Sequence, residues 1–349
     1  NSFFMKDHYK GINIYRVRAV TGYRNSVTKK ILKYVNFMIF GSIAALFIGR
    51  KYDYVLGFNA GALTSMVPAI LIRKVYKKPL TFWTQDVWPD SVYAYGFKKT
   101  RMLSLTLDLF VRFIYRNIDA IAISGKGFEN KLAPYIDKKL AYHYVPNWAD
   151  FLDEDMELIS LGCSKDVINF TFAGNVGKMQ NLENIIYAFS SLSIDYQRKA
   201  QLNIVGDGSN LENLKILAVN NSSIIFHGKK PRSSMSSYYK ASDFLIVSLI
   251  DKPIFSVTVP AKTQTYIAAK KPILAIINGD TADIVRENNL GLCVGPSDVE
   301  AIKTMFQRCV DMDQSEIEGF TTNNYYLLTT TFNKEKIISK LLEIVRKPL

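Results

Sequence analysis

Along the 349-residue chain, hydrophobic and polar positions switch between the two-residue period of strands and the longer period of helices. Gly11–Val17 alternates apolar and polar residues, which predicts a half-buried strand. Asp53–Phe58 predicts another, followed by the small-residue turn Asn59-Ala60-Gly61-Ala62 and a helix to about Tyr76. Pro79–Asp86 reads as a strand ending in polar residues, and about 101–117 as a helix. Ile121–Ser124 and about Ala141–Val145 read as strands, the latter running into Pro146-Asn147-Trp148-Ala149-Asp150. Phe151–Asp166 is acidic and irregular and reads as a linker.

The second half alternates more clearly. Strands are predicted at Ile168–Ala173, Gln201–Val205, Ser223–His227, Phe244–Leu249 and Pro272–Ile277. Helices are predicted at about Asn181–Leu192, from about Asn210, at Ser234–Ala241 and at Lys262–Ala269. Strands that alternate with helices predict an α/β protein with parallel sheets covered on both faces. The expected organisation is two doubly wound domains facing a cleft, residues 1–150 and 167–330, joined by 151–166 and followed by a helix over 331–349. Such sheets bind ligands outside the carboxyl ends of their strands.

One apolar run stands apart. Tyr34–Ile48 is apolar except for Asn36 and Ser42, with Lys29, Lys30, Lys33, Arg50 and Lys51 at its flanks. Fifteen helical residues span about 22 Å, short of a hydrocarbon core of about 30 Å. A spanning helix is therefore not expected. A buried helix and a helix facing a membrane surface both fit the pattern.

Composition narrows the classes. Hydrophobic residues make up 48% of the chain and charged residues 21%, which excludes a disordered or low-complexity polypeptide. Cys163, Cys293 and Cys309 are far apart in sequence and form no C-x-x-C pair. That argues against a disulfide scaffold or a cysteine zinc site and points to a reducing compartment. His8, His143 and His227 are equally scattered, so no metal is expected. The net charge of +13 sits entirely in the first half: residues 1–150 hold 23 Lys and Arg against 9 Asp and Glu, the remainder 21 against 22. Such asymmetry points to an anionic partner for the first half. Nucleic acid is not expected, because no zinc-finger, RNA-binding-sheet or helix-turn-helix signal accompanies the charge.

Three glycine turns follow strands in the second half: Ala173-Gly174-Asn175-Val176-Gly177-Lys178, Gly206-Asp207-Gly208 and Asn278-Gly279-Asp280. Glycine lets backbone approach a ligand, the next helix offers its N–H groups to an anion, and Lys178 adds a point charge. Each turn also fits a plain strand–helix connection. Phe255–Pro272 places hydroxyl-bearing residues ahead of a helix start near Pro260, with Lys262, Gln264 and Thr265 close to its positive end. That combination suits a diphosphate, although helix capping alone also accounts for it. In the first half, Thr84-Gln85-Asp86-Val87-Trp88-Pro89-Asp90 clusters carboxylates, an amide and an indole just past a strand. Asp86 there suits a sugar hydroxyl or an acceptor proton, with a turn capped by Asp90 as the plainer reading.

Five motifs in order resemble the retaining glycosyltransferases of family 4, most closely the bacterial O-antigen and capsule subgroup that includes L-fucosamine transferases. They are Gln85-Asp86-Val87-Trp88-Pro89-Asp90-Ser91, Val145-Pro146-Asn147, Ala173-Gly174-Asn175-Val176-Gly177, Val205-Gly206-Asp207-Gly208 and Val259-Pro260-Ala261-Lys262-Thr263-Gln264-Thr265-Tyr266. The resemblance implies a GT-B fold of two Rossmann-like domains. It implies a UDP-sugar donor on the second, touched by Gly174, Asn175, Gly177, Lys178, Gly206, Asp207, Gly208, Gln264 and Thr265. It implies a lipid-linked acceptor on the first, near Gln85 and Trp88, with Asp86 and Lys262 catalytic and no cofactor.

The implied activity is retaining transfer of an N-acetylated amino sugar in surface-polysaccharide synthesis, at the anionic inner face of the cytoplasmic membrane. The chain also departs from the wider family. Gln85 stands where a His is common, Asn175 where an Arg is, Gln180 where a Lys is, and Val257 and Thr265 where two glutamates are. Family members begin with a strand and glycine loop ahead of the point where this chain starts, so the first domain is expected to be incomplete. These departures keep a second reading open, a non-catalytic nucleotide- or polysaccharide-binding protein.

Overall fold

The computed structural model describes residues 4–18, 27–59, 61–94, 96–136, 139–149, 159, 161 and 167–347. The chain divides into two units, Asn1–Val145 with Ile338–Leu349, and Pro146–Ile337. The expected linker 151–166 lies outside the described residues except for Ile159 and Leu161. Leu161 is buried and accepts a hydrogen bond from the Gln201 amide at 2.8 Å.

The first unit opens with β1 (Phe4–Tyr9) and β2 (Ile12–Val17), paired antiparallel. This corrects the expectation of a half-buried strand at Gly11–Val17 among parallel neighbours. Lys10 and Gly11 both take positive φ, 47° and 84°, and close a two-residue hairpin turn. The hairpin stands apart from the parallel sheet, and Ile12 is 63% exposed.

The helix α1 (Val27–Ile48) follows, 22 residues long. It is longer than its apolar run because the lysine-bearing segment ahead of Tyr34 is also helical. Its outer part, continued by a 3-10 turn at Gly49–Lys51, makes Ile31–Lys51 a 21-residue stretch long and apolar enough to cross a membrane, with only 11% of its most apolar window buried. Its exposure goes against the buried-helix alternative, and the stretch is longer than the fifteen residues Tyr34–Ile48 because helix continues on both sides of them. One face of α1 packs on α2 (Val67–Tyr76): the Tyr76 hydroxyl donates to the Leu46 carbonyl, and a Cβ on Gly49 would stand 2.8 Å from Ile72.

The parallel sheet of this unit is β3 (Val55–Asn59), β4 (Leu80–Thr84), β5 (Ala120–Ile123) and β6 (Tyr142–Tyr144), side by side in that order. Between β4 and β5 run α3 (Asp90–Ala94) and α4 (Arg101–Tyr115), the latter capped by Thr100, and α5 (Phe128–Leu132) precedes β6. Every residue of β4 and β5 is buried. Arg73 on α2 clamps Asp119 with two hydrogen bonds of 2.6 and 2.7 Å, and Asp119 also accepts from the Leu80 N–H at 2.8 Å.

The second unit holds a six-stranded parallel sheet. Its strands are β7 (Ile168–Ala173), β8 (Ala200–Val205), β9 (Ile224–Gly228), β10 (Phe244–Ser248), β11 (Ile273–Ile276) and β12 (Gly291–Val294). The spatial order is β12-β11-β10-β7-β8-β9, so the winding reverses between β7 and β10. The covering helices begin with α6 (Leu182–Ser190), α7 (Ile194–Arg198), α8 (Leu211–Leu217), α9 (Met235–Lys240) and α10 (Ala261–Ala268). They continue with α11 (Asp280–Glu287), α12 (Val299–Asp311), α13 (Gln314–Gly319) and α14 (Asn324–Thr329). The last helix, α15 (Lys334–Arg346), spans the boundary between the units.

Four phenylalanines centre this core: Phe170 stacks on Phe244 at 5.5 Å and meets Phe306 edge-on at 4.8 Å, and Phe189 closes on Phe306 at 5.4 Å. On the sheet, the buried amides of Gln201, Asn203 and Asn169 form a chain of hydrogen bonds that ends at the His227 ring, 2.8 Å from Asn203.

Candidate functional site

The point where a doubly wound sheet reverses opens a crevice at the carboxyl ends of its strands, because the flanking connections leave to opposite faces. In the second unit that point is between β7 and β10. The first glycine turn leaves β7 there, and α10 begins nearby. Tyr266 fixes the relation between them: it is fully buried, and its hydroxyl lies 3.3 Å from both the N–H and the carbonyl of Ala173.

Lys262 lies in the first turn of α10. Its stem is partly exposed, but its Nζ is buried with no hydrogen-bond partner. The Nζ rests 3.7 Å from the centroid of the Phe172 ring and 3.3 Å from where a Cβ on Gly174 would be. Burial pushes its pKa down to about 7. A cation at a helix N-terminus opposes the helix dipole, and no acidic residue stands in that turn to offset it. Two more buried hydroxyls lack partners, Thr263 on α10 and Ser248 at the end of β10. An unpartnered ammonium at a helix N-terminus beside a glycine turn makes a place short of an anion.

The remaining expected residues of this unit sort into two groups. Gly174, Asn175 and Lys178 are exposed around the turn, and Gly177 gives room to the Asn175 amide 2.8 Å from where its Cβ would be. Gly206, Asp207 and Gly208 instead hold the first turn from behind. A Cβ on Gly206, whose φ is 147°, would overlap the Gly174 carbonyl, and one on Gly208 would overlap the Val176 backbone. The Val176 N–H donates to the Asp207 carbonyl at 3.0 Å. Gln264 is buried and, with its amide nitrogen turned to the helix start, donates to the carbonyls of Pro260 and Ala261 at 3.1 and 3.2 Å. Thr265 donates to the Ala261 carbonyl at 3.2 Å. These two side chains thus serve the first turn of α10 itself.

In the first unit, Gln85, Asp86 and Trp88 come together just past β4. The Gln85 N–H donates to the Asn59 carbonyl at 3.0 Å, Asp86 accepts from the Val87 N–H at 2.9 Å, and Thr84 donates to the Asp86 carbonyl at 2.7 Å. Burial pushes the Asp86 carboxyl above its ordinary range, against hydrogen bonds from Ser91, Val87 and Trp88 that pull the other way. Asp90 pairs with Lys131 at 3.5 Å. Among the described residues no three His, Cys, Asp or Glu side chains stand together as a metal site.

The sequence reading assigned no role to Phe172, Ser248, Thr263 or Tyr266. The signal for Ser248 was a hydroxyl closing an apolar strand run, and for Tyr266 a ring inside the quoted motif.

Comparison with known proteins gives this geometry a context. Residues 159–318 match the family described as Glycosyl transferases group 1. The chain is 26% identical over 282 residues to the "Probable glycosyltransferase WbjE" of Pseudomonas aeruginosa, covering 77% of this chain and 69% of that one. Its fold is similar to that of sucrose-phosphate synthase from Thermosynechococcus elongatus, with a TM-score of 0.75, 16% identity and coverage of 99% and 85% of the two chains. It is similar also to an α,α-trehalose-phosphate synthase (UDP-forming) from Burkholderia vietnamiensis, with a TM-score of 0.75, 11% identity and coverage of 99% and 91%. Residues 159–318 are thus similar to the glycosyl transferases group 1 family, and the chain has the α/β fold known as GT-B.

Proposed function

We propose that the protein transfers an N-acetylated amino sugar from a UDP-sugar to a lipid-linked oligosaccharide at the inner face of the cytoplasmic membrane, with retention at the anomeric carbon. The observation that carries the donor assignment is the buried, partnerless Nζ of Lys262 beside Gly174 at the sheet reversal. A diphosphate supplies the missing negative charge and the acceptor oxygens that the Lys262 ammonium lacks. The UDP-forming synthase from B. vietnamiensis, alike in fold, supports UDP as the leaving group. Surface-polysaccharide synthesis rests on the resemblance of the five motifs.

In this reading the acceptor hydroxyl oxygen bonds to the anomeric carbon as the bond from that carbon to the diphosphate oxygen breaks on the same face. The bonding electrons leave with the diphosphate, and the hydroxyl proton passes to its departing oxygen. Lys262 and the first-turn N–H groups of α10 stabilise charge that grows on the diphosphate as the bond lengthens. Gly174 and Gly177 let backbone close on it, and Asn175 and Lys178 line its approach. Asp86, with Gln85 and Trp88, holds the acceptor.

Titration calorimetry with UDP and UDP-N-acetylglucosamine tests the reading. Binding that Lys262→Met abolishes supports it, as does slow release of UDP without acceptor. No binding of either nucleotide overturns it. Binding without any UDP release under any acceptor leaves a nucleotide-binding protein in its place.

A further inference from the structure

We propose that Asn59, at the carboxyl end of β3, binds a hydroxyl of the acceptor's sugar together with Asp86, and so makes this corner of the first unit a site for a neutral sugar rather than for a phosphate. The inference rests on the transferase reading only in calling that sugar the acceptor; the site is argued from its own residues.

Asn59 closes β3 and pairs in register with Thr84, which closes β4. Residues in register on neighbouring strands point to the same face of the sheet. The Asn59 carbonyl accepts from the Gln85 N–H at 3.0 Å, and the Thr84 hydroxyl donates to the Asp86 carbonyl at 2.7 Å. These two bonds bring Asn59 and Asp86 to one corner, at the strand ends where parallel sheets take their ligands.

Asn59 is 1% exposed. Its Oδ1 accepts from the Gly61 N–H at 3.1 Å, which orients the amide. Its Nδ2 is buried with no hydrogen-bond partner. An orphaned buried donor is costly to keep, and a ligand atom that accepts from it accounts for its presence. The turn beyond, Asn59-Ala60-Gly61-Ala62, carries no bulky side chain, and a Cβ on Gly61 would meet nothing within 4 Å. Open space thus lies beside the amide.

The neighbouring groups select the chemistry of the ligand. The amide N–H needs an acceptor. The Asp86 carboxyl takes hydrogen bonds from the Val87 N–H and from the side chains of Ser91 and Trp88, and a carboxylate has lone pairs for one more. A hydroxyl meets both needs at once, accepting from Asn59 and donating to Asp86. An ionised phosphate has acceptors only and meets Asp86 as a like charge. An enclosed water would also accept from the amide, and the experiment separates the two.

Fluorine NMR of the full chain labelled with fluorotryptophan tests this. The chain has three tryptophans, and Trp88 hydrogen-bonds to Asp86, so its resonance, identified by its loss in Trp88→Phe, reports on the site. The probes are glucose, galactose, fucose and N-acetylglucosamine, with glucuronate as the anionic counterpart. Expected is a shift of the Trp88 resonance with at least one neutral sugar and none with glucuronate at equal concentration. Asn59→Leu is expected to weaken that sugar by about tenfold or more. Asn59→Ser, which keeps an oxygen for the Gly61 N–H but is too short to replace Nδ2, is expected to do the same. Both variants are expected to melt close to the parent and to bind UDP as it does.

No response to any neutral sugar overturns the proposal. So does a response that both variants leave unchanged, which gives the amide to a water. Sugar binding lost only together with melting temperature or UDP affinity makes Asn59 structural and overturns it too, as does a glucuronate response equal to that of the neutral sugars. UDP titration of the same samples keeps the two readings apart. UDP binding without a sugar response ends this inference alone, and a sugar response without UDP binding ends the transferase reading alone.

Discussion

The Nζ of Lys262 lies 3.7 Å from the centre of the Phe172 ring, buried and without a hydrogen-bond partner. A buried ring face is a poor substitute for water around an ammonium, and burial lowers the pKa to about 7. A bound diphosphate restores the preference for the charged form. Binding UDP is therefore expected to take up about half a proton at pH 7, about nine-tenths at pH 8 and about a tenth at pH 6. Affinity falls roughly tenfold per unit above pH 7 and levels off below it. Calorimetry in buffers of different ionisation heat measures the uptake directly. A value that does not change with pH, or one that survives Lys262→Met, contradicts the assignment.

The same lysine costs stability. Its pKa is 10.5 in the unfolded chain and about 7 in the folded one, so the unfolded chain binds more protons between those values and stability rises with pH across them. Replacing it with methionine, which fills a similar volume without a charge, removes the cost. We expect Lys262→Met to stabilise the protein by about 1–4 kcal/mol at pH 7, with the gain shrinking toward pH 10.5. Urea unfolding at several pH values would show it, and a destabilised variant at pH 7 would contradict it.

Gly206 has a φ of 147° and gives its Cβ space to the Gly174 carbonyl. Backbone cannot step aside as a side chain can, so Gly206→Ala is expected to destabilise the protein by about 3 kcal/mol or more and to weaken UDP binding with it. Gly228 has a φ of 67° with nothing within 4 Å of a Cβ, and asparagine tolerates that backbone. Gly228→Asn should cost less than about 1 kcal/mol. Equal losses at the two positions would show that φ alone, not the interlocked turns, governs the effect.

His227 ends the chain of buried amides at Asn203, and burial, with Lys230 nearby, lowers its pKa below the usual 6.5. The unfolded chain therefore gains its proton first, and the protein is expected to lose stability as pH falls through 6.5 toward the folded value. His227→Gln keeps a donor for Asn203 without a titrating ring and should flatten this slope. Thermal melts from pH 5 to pH 8 compare the two; parallel slopes would exclude His227 as the cause.

The parallel strands of the second unit were legible because β7, β8, β10 and β11 are short apolar runs bounded by glycine or proline turns. The β1 strand was not, since Lys6, Asp7 and His8 interrupt its apolar pattern and only its pairing with β2 defines it. The exposure of α1 was illegible for a different reason. An apolar run reads the same whether its neighbours cover it or leave it bare, and the neighbours are set by α2. At the candidate site, Lys262 could be placed near a helix start from its spacing. That its ammonium would rest over Phe172, ninety positions earlier in the chain, is a product of sheet order. The roles of Gly206 and Gly208 behind the first turn, and of Gln264 on its own helix, likewise appear only once the turns are stacked.

The stacking of those turns limits where the site can change over evolutionary time. Because the Gly174 carbonyl fills the space left at Gly206, and the Val176 backbone the space left at Gly208, the two loops vary together or not at all. The exposed positions Asn175 and Lys178 carry no such constraint. In the proposed donor site those rim residues are the ones free to change, while the inner turn is held in place by its own packing.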